Sequence, residues 1–576
     1  MDAMERGQTS PRLPKSRSSK IADDEDLMVP LIQDKKTGSR APAVVLAFEC
    51  LESTAFNGIA TNLVLYLHSV LHGTSLASAS NVTTWIGTSY LTPVLGAVLA
   101  DTFWGNYNTI LVSLLVYLLG MMLVTFSAFL PTTTALDCVA GWSSWSCHHP
   151  ALGSHTVAFA GLYLVAFGSG GVRAALLPFG AEQFDDDNAV DRERKMSFFS
   201  WFYVCVDFGM IVSGLFLVWV QQNVSWGLGF GIATACIALA FAGFVLATPM
   251  YTRRVPTGTP LKSLCQVVVA ACRKAALRVP ADAAVLYELS DKVDQPKIAH
   301  THEFTFLDKA AMLVGSDLEE VATNVDAAAG SWRLCTVTQV EELKILMRLL
   351  PIWATSIVLS AAYAQLNTTF VQQGSAMDMR VMSFTIPAAS MVSFEVVCVL
   401  AWVVVYGSVI VPALRSFSPA SGEPSQLRRM GAGRLLMACA MAVAALVEMR
   451  RLDAAGTGES ISIAWQMPQY FVLAGAEVFC YIAQLEFFYN EAPESMKSMC
   501  TSFALLTVAL GSYTSSLIYA VVNALTATGG RPGWISDDLD QGHLDYFFWT
   551  MAALCTLNFV VYSAFARNYQ VKTVLS

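Results

Sequence analysis

The sequence predicts an all-α membrane protein that crosses the bilayer about a dozen times. Of its 576 residues, 55% are hydrophobic and only 14% are charged, whereas about a quarter of the residues in a soluble domain are charged. Apolar runs, each near the roughly 20 residues that a membrane-spanning helix needs, recur along the chain. A long polar segment separates them into two groups of six. The pattern therefore predicts twelve transmembrane helices in two six-helix bundles.

The predicted elements follow the hydropathy along the chain. Residues 1–40 are polar and basic, which predicts a disordered cytoplasmic tail. Residues 41–250 form the first bundle, whose apolar runs begin near Ala43, Val82, Asn108, Thr156, Phe198 and Leu228. Residues 251–342 form a cytoplasmic linker, and residues 568–576 a second cytoplasmic tail. Residues 343–567 form the second bundle, with runs that begin near Ile345, Phe384, Leu435, Tyr470, Phe503 and Tyr546.

The distribution of lysine and arginine predicts that both termini are cytoplasmic. The N-terminal tail, the linker and the connections after the fourth and eighth runs are rich in these residues. The opposite side has only Arg380, Arg450, Arg451 and Arg531. Because cytoplasmic loops carry an excess of lysine and arginine, the reverse orientation would invert the expected bias.

The composition excludes several function classes. The sequence has no basic stripe interleaved with aromatic residues, so we expect no nucleic-acid partner. It has no GxSxG, HExxH or P-loop motif, so we expect no enzyme. The cysteines lack metal-ligand spacing, so we expect no metal and no organic cofactor. Cys138 and Cys147 lie in a polar loop and can form a disulfide if that loop faces an oxidising compartment; otherwise they stay thiols.

Two carboxylates in the first apolar run are candidates for proton coupling. An ionisable group at the bilayer centre costs a few kcal/mol, so it usually faces a cavity or a partner. Glu49 and Glu52 are three residues apart, which places them on one face of a helix. Two carboxylates in a dry cavity cannot both stay ionised easily, which is what a proton carrier needs. The alternative is that they hydrogen-bond a nearby helix end.

A buried arginine predicts a salt bridge between the bundles. Arg173, in the fourth run, follows a glycine-rich stretch that lets another helix approach closely. Arginine keeps its proton, so a buried one needs a carboxylate. Glu477 in the tenth run lies at a comparable depth, and we expect it to pair with Arg173 across the cavity. The alternative is an arginine that reaches the membrane interface from a helix end.

Other polar or aromatic side chains in the apolar runs complete the predicted site. The fifth run contributes Asp207, which lies within an apolar stretch. The eighth run contributes Glu395, which follows an Ile-Pro break. The residues predicted to bind substrate are Phe56, Asn57, Asp207, Tyr363, Gln365, Asn367 and Glu477. For the three on the seventh run, ordinary helix packing is an equally good interpretation.

Six stretches carry motifs that, taken together, are specific. They are Gly96–Asp101, Phe179–Asp185, Phe198–Tyr203, Leu349–Ala354, Tyr363–Gln365 and Glu486–Pro493. With them the chain, from about Ala41 to Ala566, resembles the plant nitrate and peptide transporter family. This family belongs to the proton-coupled oligopeptide transporters of the major facilitator superfamily, and the likeness is closest to its peptide-transporting branch. The resemblance implies the major facilitator fold, alternating access and proton symport.

The resemblance also implies roles for residues, and some of them depart from the family pattern. The first-span ExxER motif falls on Glu49, Glu52 and Ser53, so its arginine is missing. The tyrosines that usually follow are replaced by Phe56 and Asn57. Without the arginine, we expect coupling that survives only at acidic pH, or no coupling.

Four further positions bear on the solute. The fourth-span lysine of the family falls on Arg173, and the tenth-span glutamate, which faces the peptide amino group in peptide carriers, falls on Glu477. Asp207 replaces an asparagine of the fifth span and should disfavour anions. Tyr363 takes the place of the histidine that binds nitrate in a nitrate carrier. These differences favour a zwitterion or a cation over nitrate.

The sequence thus predicts a secondary active transporter that moves di- or tripeptides, or a similar small zwitterion, with protons as the coupling ion. The alternatives are a carrier of nitrate, a hormone or a specialised metabolite, and a sensor or facilitator without coupling. The expected partners are a small polar solute and the lipid bilayer of the plasma membrane or the vacuole. Acidic residues at Asp23–Asp26 ahead of Leu27–Ile32 resemble a sorting signal, although a chance cluster explains them equally well.

Overall fold

The structure, a computed structural model, describes most of the chain from residue 40 onwards. The described residues are 40–130, 150–184, 189–253, 260–277, 286–287, 298, 300–313, 332–381, 384–413, 425–491, 497–527 and 533–569. Cys138 and Cys147, and with them the predicted disulfide, lie outside these ranges, as does the predicted sorting segment.

Helices long and apolar enough to cross a membrane make up both halves of the described chain. Those of the first half are Ala41–Val70, Ser75–Leu99, Gly105–Ser127, Ser154–Ala181, Ser197–Asn223 and Trp226–Leu246. Those of the second half are Val337–Ser375, Ala388–Ala413, Gln426–Gly456, Ile463–Phe488, Phe503–Thr526 and Leu544–Asn568. We call them the first to the twelfth span. The all-helical fold class, with six spans on each side of the linker, is confirmed.

The second and third spans form one continuous helical run, Ser75–Ser127, of 53 residues. A helix rises 1.5 Å per residue, so a run of this length is about twice what one crossing needs. A π-helical turn at Ala100–Trp104 and the backbone of Gly105, with φ of 72°, divide the run in two. Glycine adopts positive φ without the steric penalty of a Cβ atom. The eleven apolar helical runs of the described residues therefore provide twelve spans.

Local breaks shape the two spans that begin the second half. The seventh span starts with a capping box at Thr336 and contains a 3₁₀ turn, Ala364–Asn367, before its last helical segment. A two-stranded antiparallel ladder follows, β1 Arg380–Val381 with β2 Phe384–Thr385. The eighth span then begins with a 3₁₀ turn, Ala388–Ser390, directly after a proline. Proline tolerates the first turn of a helix but not its interior.

The two halves of the chain meet mainly on the side away from the linker, which we call the far side. Thr84 Oγ1 and Ser516 Oγ, on the second and eleventh spans, share a hydrogen bond of 3.0 Å. On the fifth and eighth spans, Ser390 Oγ donates to the carbonyl oxygen of Gly214 at 2.6 Å. Within the described ranges, the hydrogen bonds that we find between the halves lie at mid-depth or nearer the far side. These contacts hold the far ends of the two halves together.

The described part of the linker packs against the base of the seventh span. An amphipathic helix, Pro260–Arg273, buries its apolar face against a short helix, Thr305–Asp308, and the 3₁₀ turn Lys309–Ala311. The ammonium of the fully buried Lys344 binds Asp308 Oδ1 at 2.7 Å.

The same ammonium contacts a second buried acid, Glu341 Oε1, at 2.8 Å. His300, Asp308 and Glu341 lie close enough together to suit a metal ion, but Lys344 already supplies their positive charge. The described residues from Arg40 onwards belong to one compact unit, with no division between the linker and either bundle. The domain boundaries at 250, 342 and 567 therefore stay predictions.

Candidate functional site

The first span places its two acids in the interior of the first half. Glu49 and Glu52, one turn apart, are only 7% and 1% exposed. Glu52 Oε1 accepts a long hydrogen bond from Tyr117 Oη on the third span, at 3.4 Å. The same oxygen lies 3.6 Å from Nη2 of Arg173 on the fourth span. Three spans thus meet at Glu52. Its carboxyl group contacts both the phenol of Tyr117 and the guanidinium of Arg173.

Aromatic rings fix the guanidinium of Arg173. Its Cζ lies 3.7 Å from the ring centroid of Phe56 and 5.3 Å from that of Tyr90. The Phe56 ring stacks in turn on Trp85, with centroids 5.3 Å apart and planes inclined by 17°. Such cation–π contacts are worth about 2 kcal/mol when they are shielded from water. Nη1 of Arg173 is buried and has no hydrogen-bond partner among the described residues, so it can bind one more acceptor.

The structure differs from the predicted bridge between Arg173 and Glu477. Within the described residues, Arg173 pairs with Glu52 of its own half, while Glu477 Oε2 accepts a hydrogen bond from Tyr363 Oη at 3.0 Å. The physical reason lies in the first span. With serine at position 53, Glu52 has no arginine on its own helix, and Arg173 is the cation that compensates its charge. The predicted bridge between the bundles is therefore not formed in this structure.

Ser53 occupies the position where the resemblance implies an arginine. The fifth span packs so closely here that a larger side chain has no space. Ser53 Oγ donates to the carbonyl oxygen of Val206 at 2.8 Å. A Cβ atom added to Gly209 would lie 2.6 Å from Ser53 Cβ, which shows how closely the two backbones approach. Asn57 Nδ2 donates to Ser53 O at 2.9 Å, so this predicted substrate residue is engaged within its own helix. The first and fifth spans are therefore packed around a small side chain.

The second half contributes two acidic residues to the site, Glu477 and Glu395. Glu477 lies on the tenth span, at the point where regular helix gives way to a π turn, Val478–Ile482. Tyr363, which donates to Glu477, packs edge-on against Tyr481 with centroids 5.5 Å apart. Glu395 on the eighth span lies within hydrogen-bonding reach of both Glu477 and Tyr363. Asp207, half-buried on the fifth span, is close enough to Glu477 for their charges to interact.

The two remaining seventh-span candidates differ in what they offer a solute. Gln365 is fully buried, and all four of its hydrogen-bonding positions are used. Its amide donates to Ala361 O and Ser515 Oγ, and its oxygen accepts from Thr369 and Tyr519. This pattern favours a structural role that ties the seventh span to the eleventh. Asn367 Oδ1, by contrast, is buried without a hydrogen-bond partner in the described residues.

Two residues of the site, Tyr117 and Trp85, were not predicted, and Glu395 was predicted without its partner. Glu395 carried a sequence signal, because it is an acid within an apolar run, but its partner on the tenth span could not be read from the pattern. Tyr117 and Trp85 gave no signal at all. An aromatic residue in a transmembrane helix is usually a packing residue, and only the tertiary structure shows that these two contact Glu52 and Phe56.

Comparison with known proteins gives the family. The sequence model of the POT family matches residues 107–535 of the chain. The chain belongs to the POT family. Protein NRT1/ PTR FAMILY 8.3 of Arabidopsis thaliana is 45% identical over 559 residues, which cover 95% of this chain and 94% of the relative. Members at this level of identity confirm the predicted plant nitrate and peptide transporter family, and the chain is a multi-span membrane transporter.

Solved structures of POT family transporters show the same fold. The crystal structure of an auto inhibited POT family peptide transporter superposes with a TM-score of 0.70 at 23% identity, over 93% of this chain and 99% of that one. A POT family transporter in complex with 5-aminolevulinic acid gives a TM-score of 0.62 at 14% identity, over 93% and 98%. The major facilitator fold predicted for the transporter is confirmed.

Proposed function

We propose that this transporter carries di- or tripeptides, or a similar small zwitterion, by alternating access and with protons as the coupling ion. The observation that carries the proposal is the distribution of charge in the site. Arg173, with an unused Nη1, belongs to the first half, and Glu477 belongs to the second. A zwitterion offers a carboxylate to the former and an ammonium to the latter, and both contacts are charge-assisted hydrogen bonds. One structural neighbour binds 5-aminolevulinic acid, itself an amino acid.

Proton coupling follows from competition for Arg173. Glu52 pairs with the guanidinium in the structure. A proton on Glu52 removes that negative charge and leaves Arg173 to the carboxylate of the solute. When the proton leaves Glu52, the acid reclaims Arg173 and the solute carboxylate is released. Glu49, one turn away, adds a second negative charge that favours the protonated state of the pair.

The orientation and the absence of catalysis belong to the same proposal. Both termini lie in the cytoplasm, in keeping with the excess of lysine and arginine on that side. The linker is then cytoplasmic, and the contacts between the halves on the far side favour an inward-facing state. The solute crosses the plasma membrane or the vacuolar membrane unchanged, so the protein is not an enzyme.

One observation favours a second candidate, a facilitator without proton coupling. Ser53 fills the contact with the fifth span where the family resemblance implies an arginine. If that arginine were required for coupling, solute would equilibrate without following the proton gradient. The two candidates differ in electrical signature, because a symporter of a neutral zwitterion and protons carries current and a facilitator does not.

Recordings from oocytes test the proposal. Currents are measured at about pH 5.5 and pH 7.4 with a dipeptide and with nitrate, for the wild type, Glu52→Gln and the control Glu486→Gln. Glu486 is exposed and pairs with Arg429 outside the site. We expect an inward dipeptide current at acidic pH that is lost in Glu52→Gln and kept in the control. No response to dipeptide at proven surface expression would overturn the zwitterion assignment, and uptake without current would support the facilitator.

A further inference from the structure

An arginine on the ninth span joins four helices of the second half. Arg434 is fully buried. Its Nη2 donates to Thr355 Oγ1 at 3.0 Å and to Ser356 Oγ at 2.9 Å, both on the seventh span. Its Nη1 donates to Cys480 Sγ on the tenth span, at 3.2 Å. Its Cζ lies 3.9 Å from the ring centroid of Tyr562 on the twelfth. The side chain therefore connects the seventh and tenth spans from the ninth.

Within the described residues, the positive charge of Arg434 has no acid to balance it. Its hydrogen-bond acceptors are a carbonyl oxygen of its own helix, two hydroxyls and a thiol, all of them uncharged. By contrast, Arg173, Arg429 and Arg451 each pair with a carboxylate. An arginine keeps its proton, and a charge inside the bilayer costs a few kcal/mol. A charge retained at this cost without an ion pair points to a functional role.

On the seventh span, one acceptor of Arg434 shares a helix face with a residue of the site. Ser356, Ser360 and Tyr363 follow one another at spacings of four and three residues, which places them on one face of the helix. Tyr363 ends this row, and its hydroxyl donates to Glu477 Oε2 at 3.0 Å. Because the helix is continuous between them, a contact that holds Ser356 also fixes the direction in which Tyr363 points.

On the tenth span, the thiol that Arg434 contacts lies in the π turn directly after Glu477. A π turn departs from the regular helical register and is frequent at functional sites. Its geometry sets how the residue before it is rotated relative to the rest of the span. Arg434 holds this turn at Cys480 Sγ. The hydroxyls of Ser360 and Tyr481, 3.0 Å apart, hold it one residue further on. The turn is thus tied to the seventh span on the side of Glu477 that faces the linker end.

We propose that Arg434 is a positioning residue for substrate recognition, and that it orients Glu477 toward the ammonium group of the solute. The inference rests on the proposed function and deepens it, because it concerns the amino end of the zwitterion alone. Arg434 is fully buried, so it acts through its neighbours and not by contact with the solute. It holds the seventh and tenth spans in the arrangement in which Tyr363 fixes the carboxylate of Glu477.

A double-mutant cycle tests the inference, with the Kd of a dipeptide measured by titration calorimetry on the purified protein. Arg434→Met keeps the approximate length of the side chain and removes its charge and its hydrogen bonds. We expect it to raise the Kd about tenfold, the effect of weakening one charge-assisted hydrogen bond. Added to Glu477→Gln, which already lacks the carboxylate, it should raise the Kd no further. Arg428→Met, at an exposed position of the ninth span, is the matched control and should leave the Kd unchanged.

The outcomes separate a positioning role from a structural one. If the folded wild type neither binds nor transports a dipeptide, the proposed function fails, and the inference fails with it. If the wild type binds and Arg434→Met raises the Kd equally with and without Glu477→Gln, the function stands and the positioning role is wrong. An unchanged Kd in Arg434→Met overturns the inference as well.

A second variant keeps the inference testable should Arg434→Met not fold. Cys480→Ala frees the π turn from Arg434 and leaves the charge and its seventh-span contacts in place. We expect a rise in Kd that is smaller than for Arg434→Met and that disappears in the Glu477→Gln background. A rise that persists in that background, or no rise at all, would contradict the positioning role.

Discussion

The guanidinium of Arg173 does two things at once, because it pairs with Glu52 and stacks on Phe56. A lysine keeps the charge but has no planar group to lie on the ring. We expect Arg173→Lys to raise the KM for dipeptide by about tenfold, with the stacking contact worth about 1–2 kcal/mol. Uptake kinetics at acidic pH measure this. Arg428→Lys, at an exposed position, is the control, and an unchanged KM in Arg173→Lys would contradict the stacking role.

The close approach of Gly209 on the fifth span limits the space for a side chain at position 53. Introducing the arginine that the family resemblance implies, Ser53→Arg, should destabilise the protein, because the backbone of Gly209 lies against this position. We expect a clear fall in Tm of several degrees and less surface expression. Ser53→Ala loses the hydrogen bonds of the hydroxyl to Val206 O and from Asn57 Nδ2, each worth about 1 kcal/mol, and should destabilise the protein far less than Ser53→Arg. Thermal melts of the purified variants decide this, and a Ser53→Arg variant as stable as the wild type would refute the packing argument.

At this scale the sequence predicted which charged residues lie within the spans better than how they pair. Glu49, Glu52, Arg173 and Glu477 are unusual because they interrupt apolar runs, and that signal needs no tertiary structure. The rotation of each helix about its axis decides which neighbour a side chain faces. The hydropathy of the sequence does not specify that rotation. The predicted partner of Arg173 was therefore Glu477, while the structure has Glu52.

Among the elements, the linker is the one with a testable pH dependence. Cys335, just before the seventh span, is buried against the linker helix, and burial raises the pKa of its thiol to about 11. At about pH 7.5 roughly one molecule in several thousand then carries the reactive thiolate. We expect maleimide to label Cys272, which is exposed on the linker helix, long before Cys335. Labelling of Cys335 should increase as the pH rises toward 11.

Mass spectrometry of the labelled peptides measures the two rates. Equal labelling of Cys335 and Cys272 at neutral pH would show that the linker does not pack on the seventh span as the structure has it.

The spans themselves were predictable, since twelve apolar runs of membrane length leave little choice. The linker packing was not, because its segments are short and acquire their burial only from each other and from the base of the seventh span.

For the molecule as a whole, alternating access requires the far-side contacts between the halves to open. Thr84 and Ser516 lie on opposite halves with their hydroxyl oxygens 3.0 Å apart, so cysteine sulfurs at these two positions would lie close together. We expect oxidation of the Thr84→Cys/Ser516→Cys variant to cross-link the halves and abolish uptake, and a reductant to restore it. Each single variant, treated in the same way, is the control. Full transport by the cross-linked protein would contradict a rocking motion about the site.

The central claim is that a proton gradient drives a small zwitterion through this site, and acid-driven uptake by the purified protein tests it most directly. Proteoliposomes with a neutral interior are placed in acidic medium with labelled dipeptide, with and without a protonophore. We predict accumulation above the external concentration, which the protonophore collapses to equality. Uptake that only equilibrates, with or without the gradient, would contradict coupling and leave a facilitator. No uptake at all by folded protein would contradict the zwitterion assignment itself.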